Sequence, residues 1–370
     1  MKTLINAQRQ NMAEDLYSKI ISNKIAKTLL LPSSYVYGGI GFMRLKAYAQ
    51  GMMERVKTDV PVISIGNLSV GGTGKTPVTI DLTRRLIDAG HRPAILSRGY
   101  KRKSAAPYTV VSDGQSILST CAEAGDEPFM IAQAVPEAIM ISGKDRSSTS
   151  AIACNEFNCD VIVLDDGFQH LKLRRDADVV LLDYSETLDD ALVPAGRLRE
   201  PFSALGRASH IVISKVPHYP DPERIRRFQN LAAKYAPTAQ LSMCRFKPAS
   251  LRSAAGNIQP EIVGRKVVAF CGIARPNAFV DSIKQIGAEV VSLNAYPDHH
   301  WFSNAELTET EHDMVVMNAD YIVTTEKDIV RLEVPEHLRN RVLALVMEIE
   351  WLGEPPAFTL PIKKDDRTNA

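Results

Sequence analysis

The sequence predicts a mixed α/β fold with a mostly parallel sheet, and three observations support this fold class. From residue 60 onward, short apolar runs alternate with helical patterns. A Gly-rich turn separates the first run from a helix that opens at Pro77, since proline suits the first helical position. After about residue 240 the alternation begins again. Alternating strands and helices favour a parallel sheet covered on both faces, here in a large domain and a second, smaller α/β domain.

The predicted elements follow this rhythm along the chain. In the first domain the strands are residues 60–65, 94–97, 138–142, 161–164, 179–182 and 211–214, with a helix over 77–89. In the second domain the strands are 266–271, 289–293 and 321–324, with helices over 277–286 and 303–317. Residues 240–264 mix charges with two prolines, so we place the boundary there and expect domains at 1–240 and 241–370.

Composition excludes several classes of protein. The 370 residues carry a net charge of +1 and are 45% apolar, which indicates no nucleic acid or other polyanionic partner. The five cysteines are odd in number and form no C-x-x-C pair, so we expect reduced thiols in a cytosolic protein. No apolar run reaches the ~18 residues of a spanning helix, and the N-terminus lacks a signal-peptide layout. We therefore expect the protein on the cytoplasmic side.

The N-terminal region predicts an amphipathic helix over residues 14–31, which Pro32 ends. Apolar side chains recur there at three- and four-residue spacing, and lysines occupy other positions. A basic helix with an apolar face can lie on an anionic membrane, or it can be a surface helix packed on its own domain. The helix alone favours the second interpretation.

The turn after the first strand has the composition of a phosphate-binding loop. Residues 66–77 read G-N-L-S-V-G-G-T-G-K-T-P between a predicted strand and a predicted helix, which is the context that a P-loop requires. Glycines let backbone N–H groups point at phosphate oxygens, and the helix N-terminus favours negative charge. The pattern expects glycine where Ser69 stands, and we expect Gly71 and Gly72 to supply the flexibility instead. The sequence thus predicts a P-loop NTPase-type parallel sheet sandwich.

The predicted nucleotide-binding residues are eight consecutive ones: Ser69, Val70, Gly71, Gly72, Thr73, Gly74, Lys75 and Thr76. Among them, Lys75 is expected on the β- and γ-phosphates and the Thr76 hydroxyl on magnesium.

A second signal is the run V-I-V-L-D-D-G-F-Q-H at residues 161–170. Four apolar residues followed by an acid match a strand that brings a carboxylate to magnesium beside a P-loop. Asp165 and Asp166 would repel each other at a strand end, and a metal would relieve that repulsion. We therefore predict a Mg²⁺ site at Thr76, Asp165 and Asp166, with Gln169 as a further ligand. His170 is a further candidate for contact with metal or substrate.

Seven motifs, in order over residues 35 to 330, resemble those of the tetraacyldisaccharide 4′-kinase family. They are G-N at 66–67 with V-G-G-T-G-K-T-P at 70–77, S-R-G-Y at 97–100, G-D-E-P at 125–128, L-D-D-G-F-Q-H at 164–170, P-A-G-R-L-R-E-P at 194–201, P-D-H at 297–299 and T-T-E-K-D at 324–328.

This resemblance implies a reaction in lipid A synthesis. The γ-phosphate of ATP would move to the 4′-hydroxyl of a tetraacylated glucosamine disaccharide 1-phosphate, forming lipid IVA, with ATP and Mg²⁺ as cofactors. It implies two α/β domains and work at the cytoplasmic face of the inner membrane. A substrate with four acyl chains leaves the bilayer at great cost, since each buried CH₂ is worth ~0.8 kcal/mol. The resemblance thus reverses the interpretation of the N-terminal helix, and we expect residues 14–43 to associate with the membrane.

The same resemblance assigns catalytic roles. It implies that Asp126 is the general base for the 4′-hydroxyl and that His299 pairs with Asp126 and tunes its pKa. On the residues alone, a helix N-cap is the more common role for an aspartate at the position of Asp126. Arg146 and Arg197 are candidates to stabilise the transferring phosphate or to hold the substrate 1-phosphate, because arginine suits bidentate phosphate contact. Surface salt bridges are the alternative for both.

The sequence leaves two other functions open, and it does not assign a role to residues 325–328. A regulatory P-loop ATPase or GTPase that acts on a protein partner would share the loop, although dimeric ATPases of that kind carry a lysine where this chain has Val70. A soluble small-molecule kinase of similar topology is a further alternative. Residues 325–328 are expected near the adenine or at the domain interface.

Overall fold

The computed structural model describes residues 23–100, 102–259 and 262–358, which form two compact units. Of the described residues, the large unit comprises 23–245 and 349–358, and the small unit comprises those within Phe246–Glu348. The chain leaves the large unit within one long strand and returns to it within another.

The large unit contains helices and strands in alternation. Its helices are α1 (Lys24–Ala49), α2 (Lys75–Asp88), α3 (Cys121–Ala124), α4 (Asp126–Ala134), α5 (Arg146–Asn155) and α6 (Pro222–Tyr235), with a 3₁₀ turn at Phe202–Arg207. Its strands are β1 (Val62–Asn67), β2 (Pro93–Ser97), β3 (Tyr108–Asp113), β4 (Ile139–Gly143), β5 (Val161–Asp165), β6 (Ala177–Asp183), β7 (His210–Ser214) and the first part of β8 (Gln240–Ser253).

The sheet of the large unit has the order β8-β7-β6-β1-β5-β2-β4-β3. All neighbours along it are parallel except β3, which pairs antiparallel with β4 at the edge. Every residue of β1 is buried, because this strand lies between β5 and β6. The carboxyl ends of β1 and β5 therefore meet in the middle of the sheet, where parallel sheets carry their ligand sites.

Helix α1 corrects one prediction. Pro32 does not end the helix, which runs from Lys24 through Pro32 to Ala49. Pro32 is exposed, and so is Thr28, the residue whose carbonyl loses its helical hydrogen bond to the missing N–H. Tertiary contacts hold the helix beyond it, since Ser34 Oγ donates to the carbonyl of Leu192 at 2.8 Å and accepts from the amide of Ala195 at 2.9 Å. The predicted residues 14–22 lie outside the described part of the chain.

The small unit repeats the architecture on a smaller scale. It holds the end of β8, then β9 (Ile258–Gln259), β10 (Lys266–Cys271), α7 (Pro276–Gln285), β11 (Glu289–Ala295), α8 (Asn304–Val316), β12 (Tyr321–Thr325), α9 (Glu326–Ile329), a 3₁₀ turn at Glu336–Leu338 and most of β13 (Val342–Trp351). Its parallel strands have the order β11-β10-β12-β13, and β9 pairs antiparallel with the end of β8.

Strand β10 shows why this small sheet has helices around it. Val267 and Ala269 enter one hydrophobic core, which includes Phe279 of α7. Val268 and Phe270 enter a second core, which includes Leu307 of α8. Because successive side chains of a strand point to opposite faces, both faces of β10 are covered.

The predicted mixed α/β class with a large, mostly parallel sheet is confirmed. Strands β3, β8, β9 and β13 were not predicted from the sequence. Within the described residues, none of the helices combines the length and the apolar character needed to cross a bilayer.

Candidate active site

The predicted P-loop connects β1 to α2, and the predicted order of strand, turn and helix is confirmed. Helix α2 begins at Lys75, earlier than predicted, because Gly74 adopts a left-handed conformation (φ 88°) that ends the turn. Gly71 has a φ of 121°, whereas Gly72 is not among the positive-φ glycines. The Nζ atom of Lys75 donates to Asn67 Oδ1 at 3.3 Å, so the ammonium group reaches back to the end of β1.

Side chains from outside the loop brace its backbone. Ser69, which stands where the pattern expects glycine, is 2% exposed, and its hydroxyl donates to Glu186 Oε1. The hydroxyl of Ser214, the last residue of β7, donates to the carbonyl of Thr73 at 2.7 Å. The ammonium group of Lys215 donates to another carbonyl of the same loop. The turn is therefore held in place by the end of β7 and by the segments that follow β6 and β7.

Asp165 ends β5 and is almost fully buried. Its carboxylate accepts hydrogen bonds from the hydroxyl of Thr79 at 3.1 Å and from that of Ser97 at 3.4 Å. Burial, together with the nearby carboxylates of Glu127 and Asp166, raises the pKa of Asp165 to about 6.

Asp166 behaves in the opposite way. It has a φ of 52° and follows the strand end directly. Its Oδ1 lies 3.5 Å from Lys75 Nζ, and Nη1 of Arg199 donates to both carboxylate oxygens at 3.3 and 3.2 Å. Burial alone would raise the pKa of Asp166, but Lys75 and Arg199 outweigh it and lower the pKa below its ordinary value. Adjacent carboxylates thus have opposite pKa shifts.

The sequence did not single out several residues of this site, among them Thr79, Glu186, Arg199, Ser214 and Lys215. Thr79 carried a signal, since it lies one helical turn after Lys75 and faces the same way. Arg199 lies in the G-R-L-R segment, where the position of its guanidinium depends on how the loop folds. Glu186 and Lys215 come from loops far away in sequence and carried no local signal.

The predicted cations Arg146 and Arg197 occupy different environments. Arg146, the first residue of α5, is 4% exposed, and its Nη2 donates to the carbonyl of Asp165 at 3.4 Å. Its buried Nε has no hydrogen-bond partner within the described residues. Arg197 is exposed, and its carbonyl accepts from the amide of Val70 at 2.8 Å. Arg197 therefore fixes the start of the P-loop through its main chain.

Gln169 and His170 lie just beyond the two acids. The amide nitrogen of Gln169 donates to the carbonyl of Asn67 at 2.9 Å and to Glu200 Oε1 at 3.1 Å, which ties this loop to β1. Burial and the neighbouring Arg146 lower the pKa of His170 to about 4, so the imidazole is neutral at physiological pH.

Asp126 is the first residue of α4 and is 5% exposed. Gly125 is the N-cap of this helix and provides no side-chain hydrogen bond, so Asp126 is not the N-cap. One carboxylate oxygen of Asp126 accepts from the amide of Glu127 at 3.0 Å.

His299 lies in the small unit, in a loop after β11, and has a φ of 62°. Its amide donates to the carbonyl of Gly272 at 3.2 Å, and its Nε2 lies 3.1 Å from Lys327 Nζ. The neighbouring His300 is different, because it is buried with its Nε2 3.0 Å from Glu306 Oε1. The two adjacent histidines therefore occupy different environments.

Comparison with known proteins identifies the family. The model of the tetraacyldisaccharide-1-P 4′-kinase family (LpxK) matches residues 26–364. The tetraacyldisaccharide 4′-kinase of Anaeromyxobacter sp. (strain K) is 39% identical over 320 residues, which are 84% of this chain and 82% of that protein. That of Geobacter metallireducens is 35% identical and is covered over 98% of its length. The chain belongs to the tetraacyldisaccharide 4′-kinase family.

A solved structure supports the same assignment to the tetraacyldisaccharide 4′-kinases. LpxK from Aquifex aeolicus, crystallised in complex with ATP, matches with a TM-score of 0.71 and 32% sequence identity, over 88% of this chain and 95% of that one. Membership makes the chain an ATP-dependent phosphotransferase of lipid A biosynthesis, acting on a tetraacyldisaccharide 1-phosphate. The resemblance inferred from the sequence motifs is therefore confirmed.

Proposed function

We propose that the large unit is a P-loop NTPase-type kinase domain that transfers the γ-phosphate of ATP to the 4′-hydroxyl of the acylated disaccharide. The observation that carries this proposal is the convergence of Lys75, Arg199 and Asp166 beside the turn between β1 and α2. A triphosphate seated on this turn meets backbone N–H groups, a helix N-terminus and two cations, which together neutralise charge during phosphoryl transfer.

The test is a phosphotransfer assay with purified protein, ATP and tetraacyldisaccharide 1-phosphate in detergent micelles. We expect phosphate on the lipid in the parent and almost none with Lys75→Ala, at an unchanged melting temperature. ATP hydrolysis that ignores the lipid but responds to an added protein would favour a regulatory ATPase instead. Near-normal turnover of Lys75→Ala would contradict the P-loop assignment.

The donor set fits a magnesium ion. Asp165 and Asp166 provide carboxylates, Thr76 lies at the second position of α2 and provides a hydroxyl, and Gln169 lies in the adjoining loop. No cluster of three or more His, Cys, Asp or Glu side chains suited to a metal occurs in the described ranges. Mg²⁺ needs none, because it commonly takes one or two carboxylates and completes its shell with substrate phosphates and water. When bound, it would supply charge neutralisation at the phosphates.

We also propose that Asp126 accepts the proton of the sugar hydroxyl and that His299 assists Asp126. Asp126 is held on a helix terminus and buried, which suits a fixed general base. If the two act as one unit, Asp126→Asn and His299→Ala each lower turnover strongly and leave ATP affinity nearly unchanged, and the double variant is little worse than the poorer single one. Multiplicative defects would contradict the pairing.

Membrane association rests on the exposed side of α1. The described part of residues 14–43 exposes a group of large apolar side chains: Ile25, Leu29, Tyr35, Val36, Ile40, Phe42 and Met43. Elsewhere on this helix, Ser34 is buried and bonded to the large unit. An exposed apolar surface of this kind marks an interaction site, and an acylated substrate makes the lipid surface the fitting partner.

Liposome flotation tests this proposal without deleting the helix. We expect the triple variant Leu29→Gln/Val36→Gln/Phe42→Gln to remain in the soluble fraction where the parent floats. Tyr219→Gln is the matched control, because Tyr219 is 91% exposed but lies outside α1. Equal flotation of the parent and the triple variant would refute the idea.

A further inference from the structure

The segment 325–328, whose sequence suggested an adenine contact or a domain interface, closes on itself at the end of β12. Thr325 caps the short helix α9, and its hydroxyl accepts from the amide of Asp328 at 3.1 Å. The same hydroxyl donates to Asp328 Oδ2 at 2.6 Å. The Asp328 carboxylate therefore faces inward, and Asp328 is fully buried.

Asp328 and Arg331 together bind both backbone polar groups of Gly272, the residue that follows the end of the neighbouring strand β10. Their side chains form an ion pair and are both inaccessible to solvent. Asp328 Oδ2 accepts from the amide of Gly272 at 3.1 Å, and Arg331 Nη2 donates to the carbonyl of Gly272 at 3.4 Å. A Cβ atom at Gly272 would lie 3.1 Å from both Phe302 Cζ and the carbonyl of Pro297, so the approach is close on every side.

The contacts of Asp328 and Arg331 with Gly272 also support the loop that contains His299. The carbonyl of Gly272, already bound by Arg331, also accepts from the amide of His299 at 3.2 Å. His299 has a φ of 62°, which a non-glycine residue keeps only where its surroundings fix it. The buried ion pair thus determines the position of the His299 main chain.

Lys327 contacts the imidazole ring of His299 directly. Its Nζ lies 3.1 Å from His299 Nε2 and 3.5 Å from Asp298 Oδ1, and its carbonyl accepts from Arg331 Nε at 3.1 Å. An ammonium group is a donor only, so a ring nitrogen that contacts it must be the acceptor. The ring proton of a neutral His299 then resides on Nδ1, because the hydrogen bond at one nitrogen decides which nitrogen is protonated.

We infer that Lys327 is a positioning residue that fixes the tautomer of His299, and that Asp328 and Arg331 anchor both residues. The inference rests on the proposed role of His299. A ring protonated on Nδ1 donates a hydrogen bond through that nitrogen, which is what an imidazole needs in order to orient a carboxylate base. Residues 325–328 therefore serve the acceptor side of the reaction.

The first test reads the tautomer directly by ¹⁵N NMR of the histidine rings in the full chain. The signals of His299 are assigned by their absence in His299→Gln. We expect a pyrrole-like Nδ1 and a pyridine-like Nε2 in the parent, and a shift towards protonated Nε2 in Lys327→Met. A parent ring protonated on Nε2 would overturn the inference, and so would an unchanged tautomer in Lys327→Met. This measurement needs no activity, so it decides the inference even where the proposed function fails.

The second test is kinetic. Lys327→Met should lower kcat ~10- to 100-fold, as loss of an orienting partner commonly does, with the KM for ATP unchanged. Lys327→Arg, which keeps a donor, should recover part of that loss, and it carries the test should the methionine variant not fold. The matched control is Lys284→Met, an exposed lysine near the end of α7. Parent-like kcat in Lys327→Met, or equal losses in both Lys327 variants, would overturn the inference.

Discussion

Gly66 lies where β1 passes beneath the segment that carries the two acids, and replacing it with alanine tests how tightly the site is built. Gly66 pairs with Val180 of β6 inside the sheet, so its main chain has no freedom to retreat. An added Cβ would lie 2.5 Å from Phe168 Cβ and 2.9 Å from the Phe168 backbone nitrogen. Phe168 is completely buried, with the guanidinium of Arg207 4.1 Å from its ring centroid.

The magnitude follows from these distances. Carbon atoms in ordinary contact are ~3.5–4.0 Å apart, so the main chain at Phe168 must move by ~1 Å. Overpacking of this kind typically costs ~1–3 kcal/mol, which corresponds to a fall of ~3–10 °C in melting temperature for a domain of this size. Asp166 is two residues away and moves with Phe168. A displacement of ~1 Å in positioning groups lowers turnover by ~100-fold.

The assay combines melting curves with turnover of ATP and tetraacyldisaccharide 1-phosphate at a temperature where Gly66→Ala is folded. Gly41→Ala is the control, because a Cβ at Gly41 meets no atom within 4 Å and the residue lies inside α1. Alanine there should be neutral or stabilise the helix by up to ~1 kcal/mol. Parent-like melting and turnover in Gly66→Ala would refute the claim that β1 and the acid segment are in fixed contact.

Three further predictions concern the large unit and the cysteines. Arg199→Ala should lower kcat at least ~10-fold, and it should lower stability little because the contact of Arg199 with Asp166 is partly exposed. An unchanged kcat would exclude a role of Arg199 at the phosphates. Asp145 caps α5, and the hydrogen bond from Lys172 lowers its pKa to about 2. The folded state therefore favours the charged carboxylate, and Asp145→Ala should lower the melting temperature fully above pH ~4 but progressively less as the pH falls towards 2. A difference in melting temperature that does not change with pH would contradict this. Burial raises the pKa of the Cys244 and Cys271 thiols to about 12, so iodoacetamide at pH ~8 should label neither until urea unfolds the protein. Labelling is read by peptide mass spectrometry, and labelling of these thiols in the native protein would contradict the prediction.

The sequence predicted the centre of the large unit well because local signals coincide there. Buried apolar runs mark β1 and β5, the glycine-rich turn marks the loop, and an acid follows the second run directly. Each of these signals is contained in a segment of about ten residues, so the chemistry of the site can be inferred before the fold is known. Parallel topology then brings the two strand ends together without further information.

Long-range contacts explain what the sequence did not reveal. Strand β8 mixes Arg245, Lys247, Pro248 and Arg252 with its apolar residues, because only some positions along its length are buried. Helix α1 continues through Pro32 because contacts from a distant loop hold it, against local propensity.

The two adjacent acids of this site differ in how strongly their surroundings favour the charged carboxylate, and this difference bears on how a nucleotide would bind. Burial and the nearby carboxylates disfavour the charge of Asp165, and they outweigh the hydrogen bond from Thr79, whereas Asp166 faces two cations and stays charged. The ammonium group of Lys75 contacts both Asp166 and Asn67. If the proposed function is correct, we expect a triphosphate to replace these partners of Lys75 while Arg199 continues to pair with Asp166. Neither Lys75 nor Asp166 would then be left as an unpaired buried charge, which would be costly.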